Sequence, residues 1–180
     1  MRTFQKGWMI AAAVALMAAF SPAAHAQLNS GPTNVTLNAT LAESLTVASS
    51  AANLVVPIVP NGTGAPSPAL TITSTWALAK TRTSIKLFAY FGTGTALSDG
   101  AGDNIPAANV LGSVNAGGYG PFTNVGAFTN FSIQMFSLTG GTMTFNGSRN
   151  DTLNLEINTT GLGLPAAAYT GTLSLQAQAL

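Results

Sequence analysis

"LTITSTWALAKTRTSIKLFAYF", Leu70 to Phe91, decides the fold. In its first half Leu70, Ile72, Ser74, Trp76 and Leu78 alternate with Thr71, Thr73 and Thr75. In its second half Ile85, Leu87, Ala89 and Phe91 alternate with Lys86, Phe88 and Tyr90. Side chains along a strand point to opposite faces with a period of two, so each half reads as a strand. Threonine and isoleucine, β-branched at Cβ, favour that conformation. Trp76 shares a face with leucine and isoleucine and is expected in the core.

The pattern continues on both sides. Val35, Leu37, Ala39 and Leu41 alternate with Thr36, Asn38 and Thr40, and Leu45 and Val47 follow. The run Leu54 to Val59 is apolar on both faces, and "PNGTGAPSP", Pro60 to Pro68, reads as a loop from its Pro and Gly content. Further strands are expected around Phe131, Ile133 and Met135, at Met143 and Phe145, and at Leu153, Leu155 and Ile157. The last alternation runs from Tyr169 to Ala179 and is expected to pair antiparallel inside a sheet of its own domain. The middle, Gly92 to Phe128, is Gly-rich, and one short strand is expected there, Asn109 to Val114. Roughly seven to ten short strands, with turn residues between them and no helical period, argue an all-β sandwich or barrel.

The N-terminus points to export. Arg2 and Lys6 precede an uncharged apolar run, Trp8 to Phe20, and then Ala24-His25-Ala26. Basic start, short apolar core and A-x-A triplet are the order of a secretory signal peptide. The run is shorter than the roughly 20 residues that span a bilayer. The expectation is cleavage after Ala26, with residues 1–26 as signal and 27–180 as a single β-domain in the periplasm, at the cell surface or outside the cell. No membrane span is expected once the signal is removed.

Removing that segment takes away the only histidine, His25, and the chain has no cysteine. Ser-His-Asp and Cys-His catalysis and the usual zinc sites are thereby excluded from the mature chain, as is any disulfide. Lys80, Arg82, Lys86 and Arg149 stand against Glu43, Asp99, Asp103, Asp151 and Glu156, a net charge of −1. Such a balance offers no basic field for nucleic acid. Only 6% of the residues are charged, against about one-quarter in ordinary soluble domains, so little repulsion keeps copies apart.

Three sets of residues are candidates for function. "SDGAGDNIP", Ser98 to Pro106, could wrap Ca²⁺ with Asp99, Asp103 and Asn104, although the spacing is not that of an EF-hand and an Asx- and Gly-rich turn is the simpler reading. Tyr119 and Phe122, in "GGYGPF", could stack on sugar rings or fold down over the end of the domain. Val35, Leu37, Ala39 and Leu41 could pair within the subunit or add as a strand to a neighbour's open edge. No catalytic residue and no cofactor is expected. Among the five carboxylates a paired acid–base arrangement is the one enzymatic route left, and it is not favoured.

The stretches "NVTLNATLAESLTVASSAANLVVPIVPNG" and "GLPAAAYTGTLSLQAQAL" resemble the two ends of small exported bacterial β-proteins that group loosely with spore coat protein U domains and chaperone–usher pilins. The likeness lies in an alternating opening strand, an apolar strand after it, and a closing "P-x-x-x-Y-x-G/D-T-L" strand. It implies an immunoglobulin-like antiparallel β-sandwich without enzymatic activity. It also implies a structural role in a surface fibre, coat or envelope layer, with other copies, related surface subunits or a periplasmic chaperone as partners. Pilins often carry a disulfide, and this chain departs from that. The alternatives are a carbohydrate-binding module and a small outer-membrane barrel, which about eight strands would suffice to build.

Overall fold

Inward-facing positions on the strands from Leu70 to Phe91 do form the centre of the core, but the two strands belong to different sheets. The structure is a computed structural model and describes residues 31–123, 128 and 131–180. The expected signal segment lies outside them. The chain divides into two units, Met1–Ala39 and Thr40–Leu180. In the first, residues 31–39 are irregular and exposed.

The second unit is all-β. A five-stranded antiparallel sheet has the order β1-β2-β9-β6-β7, where β1 is Ser44–Ser49, β2 Leu70–Ala77, β6 Val110–Val114, β7 Gly120–Pro121 and β9 Asn146–Ile157. A three-stranded antiparallel sheet has the order β10-β3-β8, with β3 Ser84–Tyr90, β8 Ser132–Thr139 and β10 Ser174–Ala179. A small hairpin of β4, Thr95–Ser98, and β5, Asn104–Pro106, stands apart in pairing. Each larger sheet has two edges among the described residues, so the strands do not close into a barrel.

The two sheets pack across one apolar core. Trp76 of β2 lies 6.5 Å from Phe136 of β8, ring centroid to ring centroid. A Cβ on Gly112 of β6 would touch Ile133 of β8 and Phe122. Phe91 and Phe122 pack at 5.0 Å. Trp76 is nearly inaccessible, as its face predicted, and its indole N–H donates to the Thr144 carbonyl at 2.8 Å.

Several elements differ from their sequence reading. Strand β9 has twelve residues, although only Leu153 to Ile157 carried the apolar signature. Its earlier inward positions hold Arg149 and Asp151. Met143 and Phe145 follow a single-turn 3-10 segment, Gly140–Thr142, and precede β9 instead of making their own strand. Strand β8 continues past Met135 because a bulge opposite Leu87 and Phe88 absorbs one residue and shifts the alternation to Phe136 and Leu138. The middle contains the expected strand as β6, and also the β4–β5 hairpin. Strand β10 pairs antiparallel with β3, Ser174 opposite Tyr90 through Ala179 opposite Ile85, but it is an edge and not an interior strand.

The two N-terminal apolar stretches are the larger departures. The segment Val35 to Leu41 is in no sheet, and the first strand starts only at Ser44. Leu37 is 90% exposed, and Val35 and Leu41 are nearly as open. Leu54 to Val59 is extended but unpaired, with Leu54 and Val56 turned inward and Val55 79% exposed. Among the described residues no helix is long and apolar enough to cross a membrane.

Candidate functional site

Where β1 runs out of the five-stranded sheet, the chain continues as the unpaired segment Ala51 to Val59. Where β10 begins in the other sheet, it is preceded by the extended residues Tyr169 to Leu173. Strands β1 and β10 approach one another as edges of different sheets. The gap between these two continuations is a cleft of about 490 Å³. Its floor is the core itself: Leu70, Phe91, Val110, Leu155 and Ile157. Its walls are Leu54 and Val56 on one side and Leu173 and Leu175 on the other, with Ser49, Asn53, Thr170 and Thr172 as neutral polar groups. Among the described residues no charged side chain lines it.

Apart from the Ala51 and Val59 carbonyls, which accept the Ser49 and Thr159 hydroxyls, the rims carry backbone outside any ladder. From Ala51 to Val59, and from Gly171 to Leu173, no backbone–backbone hydrogen bond is made among the described residues. Extended chain with unpaired N–H and C=O groups is an open edge for strand pairing. A glycine allows a close backbone approach at each rim, Gly64 against Pro57 of the first and Gly171 within the second. A Cβ on Gly64 would sit 2.0 Å from the Pro57 carbonyl oxygen, and one on Gly171 would sit 1.9 Å from that of Ala96. Only glycine lets the backbones approach that closely. Thr170 and Ser98 exchange both backbone hydrogen bonds at 2.9 Å, which fixes the second rim to the β4–β5 hairpin. The Thr159 hydroxyl donates to the Val59 carbonyl at 2.5 Å and ties down the end of the first.

Among the described residues the lining of the cleft is neutral, with the Tyr169 phenol as its titratable group. Elsewhere, three of the five carboxylates are committed to separate tasks. Glu43 takes a bidentate grip from Arg82, 2.8 and 3.1 Å, and a hydrogen bond from the Ala79 N–H at 2.6 Å. These bonds, that from Arg82 first, hold its carboxyl down at about 2. Asp151 is fully buried on β9, where Arg149 Nε donates to both its oxygens at 2.9 Å and Asn115 Nδ2 donates at 2.7 Å. The Arg149 guanidinium also lies 5.0 Å over the Phe136 ring.

Asp99 closes a turn. Its Oδ1 accepts the N–H groups of Ala101, Gly102 and Asp103 at 2.8 to 3.1 Å, and that of Ala101 contributes most to lowering its pKa. Asn104 turns its amide N–H onto the Gly102 carbonyl. Of the suspected calcium ligands, then, Asp99 and Asn104 serve the loop's own backbone, and the Asp103 N–H is one of those Asp99 accepts. Among the described residues no group of three or more acidic, His or Cys side chains could hold a metal ion.

The two loop aromatics part company. Phe122 has no exposed surface and packs on Phe91, so it offers a ligand no ring face. Tyr119 is 39% exposed, and burial together with the neighbouring Glu156 carboxylate raises its pKa. The sequence reading missed the cleft because its floor comes from residues far apart in the chain. The one signal that could have found it is the apolar run at Leu54 to Val59, whose two apolar faces read as a buried strand. Compared with known protein families and with curated proteins, the chain matches none.

Proposed function

We propose that this protein is an exported, non-enzymatic structural subunit of a bacterial surface fibre, coat or envelope layer. In this reading its two sheets are an immunoglobulin-like sandwich, and copies associate by β-strand addition. One observation carries it: the same chain presents an exposed alternating segment in no sheet, Val35 to Leu41, and a cleft with an apolar floor and rims outside any β-ladder. Val35, Leu37, Ala39 and Leu41 supply an apolar edge for the cleft, and Thr36, Asn38 and Thr40 supply a polar back. Main-chain hydrogen bonds to the rims provide affinity, and the alternate side chains provide register. A related surface subunit or a periplasmic chaperone would satisfy the same cleft with a strand of the same character.

The experiment is light scattering after size exclusion, comparing residues 27–180 with a chain that starts at Glu43. The longer chain is expected to associate with rising concentration, and the shorter to remain a folded monomer that binds a peptide of residues 31–43. Concentration-independent monomers of the longer chain would refute the reading.

A further inference from the structure

Ser67, Ser113 and Thr159 are buried, and the hydroxyl of each donates to a backbone carbonyl, that of Pro68, Gly117 and Val59 respectively. Ser74 breaks the rule. Its side chain is fully buried, and its Oγ has no hydrogen-bond partner in the protein. A buried hydroxyl without a partner is destabilising, and an apolar side chain on the inner face of β2, between Ile72 and Trp76, would avoid that cost.

The neighbours of Ser74 are unlike the rest of the core. Arg149 is its direct partner across the β2–β9 ladder, and Asp151 stands opposite Ile72, one inward position along. Ser74 and Asp151 are therefore diagonal neighbours on one face, their backbones about 7–8 Å apart. The hydroxyl makes no direct bond to the carboxylate, and that separation suits two hydrogen bonds through one oxygen between them.

The carboxylate has an acceptor to spare. Asp151 Oδ1 takes the Asn115 amide at 2.7 Å and two nitrogens of Arg149 at 2.9 and 2.8 Å. Among the described residues Oδ2 takes Arg149 Nε alone, at 2.9 Å, although a carboxylate oxygen accepts about two donors. An unmet hydroxyl beside an open acceptor on a buried charge is the setting in which proteins keep internal water, whereas cavities that stay dry are apolar.

We infer that a water molecule sits between Ser74 Oγ and Asp151 Oδ2, accepting the serine O–H and donating to the carboxylate. With it the polar groups form one chain across three strands: Ser74 on β2, Asp151 on β9, and Asn115 at the turn after β6, whose Oδ1 accepts the Thr152 N–H at 2.9 Å. This chain fixes the register of β2 on β9, because a slip of one residue turns Ser74 to the outer face. Neither Ser74 nor Asp151 lines the cleft, so the site does not depend on strand addition.

Two measurements on the mature chain test it. A high-resolution crystal structure should show a water oxygen within hydrogen-bond distance of both atoms, and none in Ser74→Val. In urea unfolding, Ser74→Ala should raise the unfolding constant about fivefold, the scale of one hydrogen bond. The same change should have little effect in R149M/D151L, where a water has no carboxylate to meet. A site without water, or a Ser74→Ala variant as stable as the wild type or more so, would overturn the inference; a gain is the result for a hydroxyl that meets nothing. An equal loss in both backgrounds would place the partner of Ser74 elsewhere and overturn it too.

Discussion

Arg149 holds Asp151 two residues along the same strand, on the inner face of β9, with Nε shared between both carboxylate oxygens at 2.9 Å. Asp151 is fully buried, whereas the arginine side chain keeps about a third of its surface, 37%, in contact with solvent. Among the described residues, removing the arginine would leave the buried Asp151 carboxylate with the Asn115 amide as its remaining side-chain partner. Arg149→Ala is therefore expected to destabilise the domain by about 3–5 kcal/mol. Replacing both residues with apolar side chains of similar volume should cost far less. Urea unfolding of the two variants checks this; equal losses would show that packing over Phe136, and not charge, is what Arg149 contributes.

Lowering the pH should release the Glu43 clamp. Its carboxyl has a pKa of about 2, against the ordinary 4.5. A lowered pKa means the contribution is complete above about pH 4.5 and is lost as pH falls towards 2. The pair is exposed, so the loss is expected to be small and to shrink further in salt. Denaturation midpoints at pH 5 and pH 2.5 should move together more closely in Glu43→Gln than in the wild type. Parallel shifts in both would place the acid sensitivity elsewhere.

The glycines behind the cleft rims should tolerate no side chain. Gly171→Ala puts a methyl group inside the Ala96 carbonyl, and Gly64→Ala does the same at Pro57. Backbone must move in each case, at a cost of about 1–3 kcal/mol. The expected signature is loss of association together with loss of stability. Gly118→Ala, where nothing lies within 4 Å of the added carbon, is the matched control.

Phe122→Ala should cost about 3–5 kcal/mol, the range for a buried phenylalanine. Tyr119→Ala should leave stability nearly unchanged. Binding to insoluble neutral polysaccharide, measured for the wild type and Tyr119→Ala, separates a surface aromatic without a ligand from a stacking residue. A loss confined to the tyrosine variant would point to a glycan.

Protein recovered from the periplasm or the medium should have the intact mass of residues 27–180. A mass retaining Trp8 to Phe20 would overturn the proposed location.

Strands whose inner positions are filled by apolar residues were legible. Leu70 to Leu78 and Ile85 to Phe91 appear nearly as alternation places them, and Val110 to Val114 emerges from the Gly-rich middle. Legibility failed where an inward position is polar or the period slips. Half of β9 was hidden because Arg149 and Asp151 stand where valine or leucine would announce a strand, and their ion pair does the work of apolar packing. Strand β8 was cut short because the bulge at Met135 breaks the period of two. The segments at Val35 and Leu54 carry strand patterns without strands, since alternation records what a backbone can pair with and not whether the partner belongs to the same chain. The clamp at Glu43 was invisible for a further reason: Arg82 lies 39 residues away.

The pairing of β10 with β3 joins residues 84 positions apart at its closest, Ser174 with Tyr90. Ladders of such sequence separation close slowly, because the entropy of the intervening loop is lost before any contact compensates. While the chain is being synthesised, β3 must keep one edge unsatisfied until β10 emerges. During that interval the Leu173 and Leu175 wall does not exist, and the core floor of Leu70, Phe91 and Leu155 faces water along its whole length. The period of greatest aggregation hazard is thus set by the order of emergence.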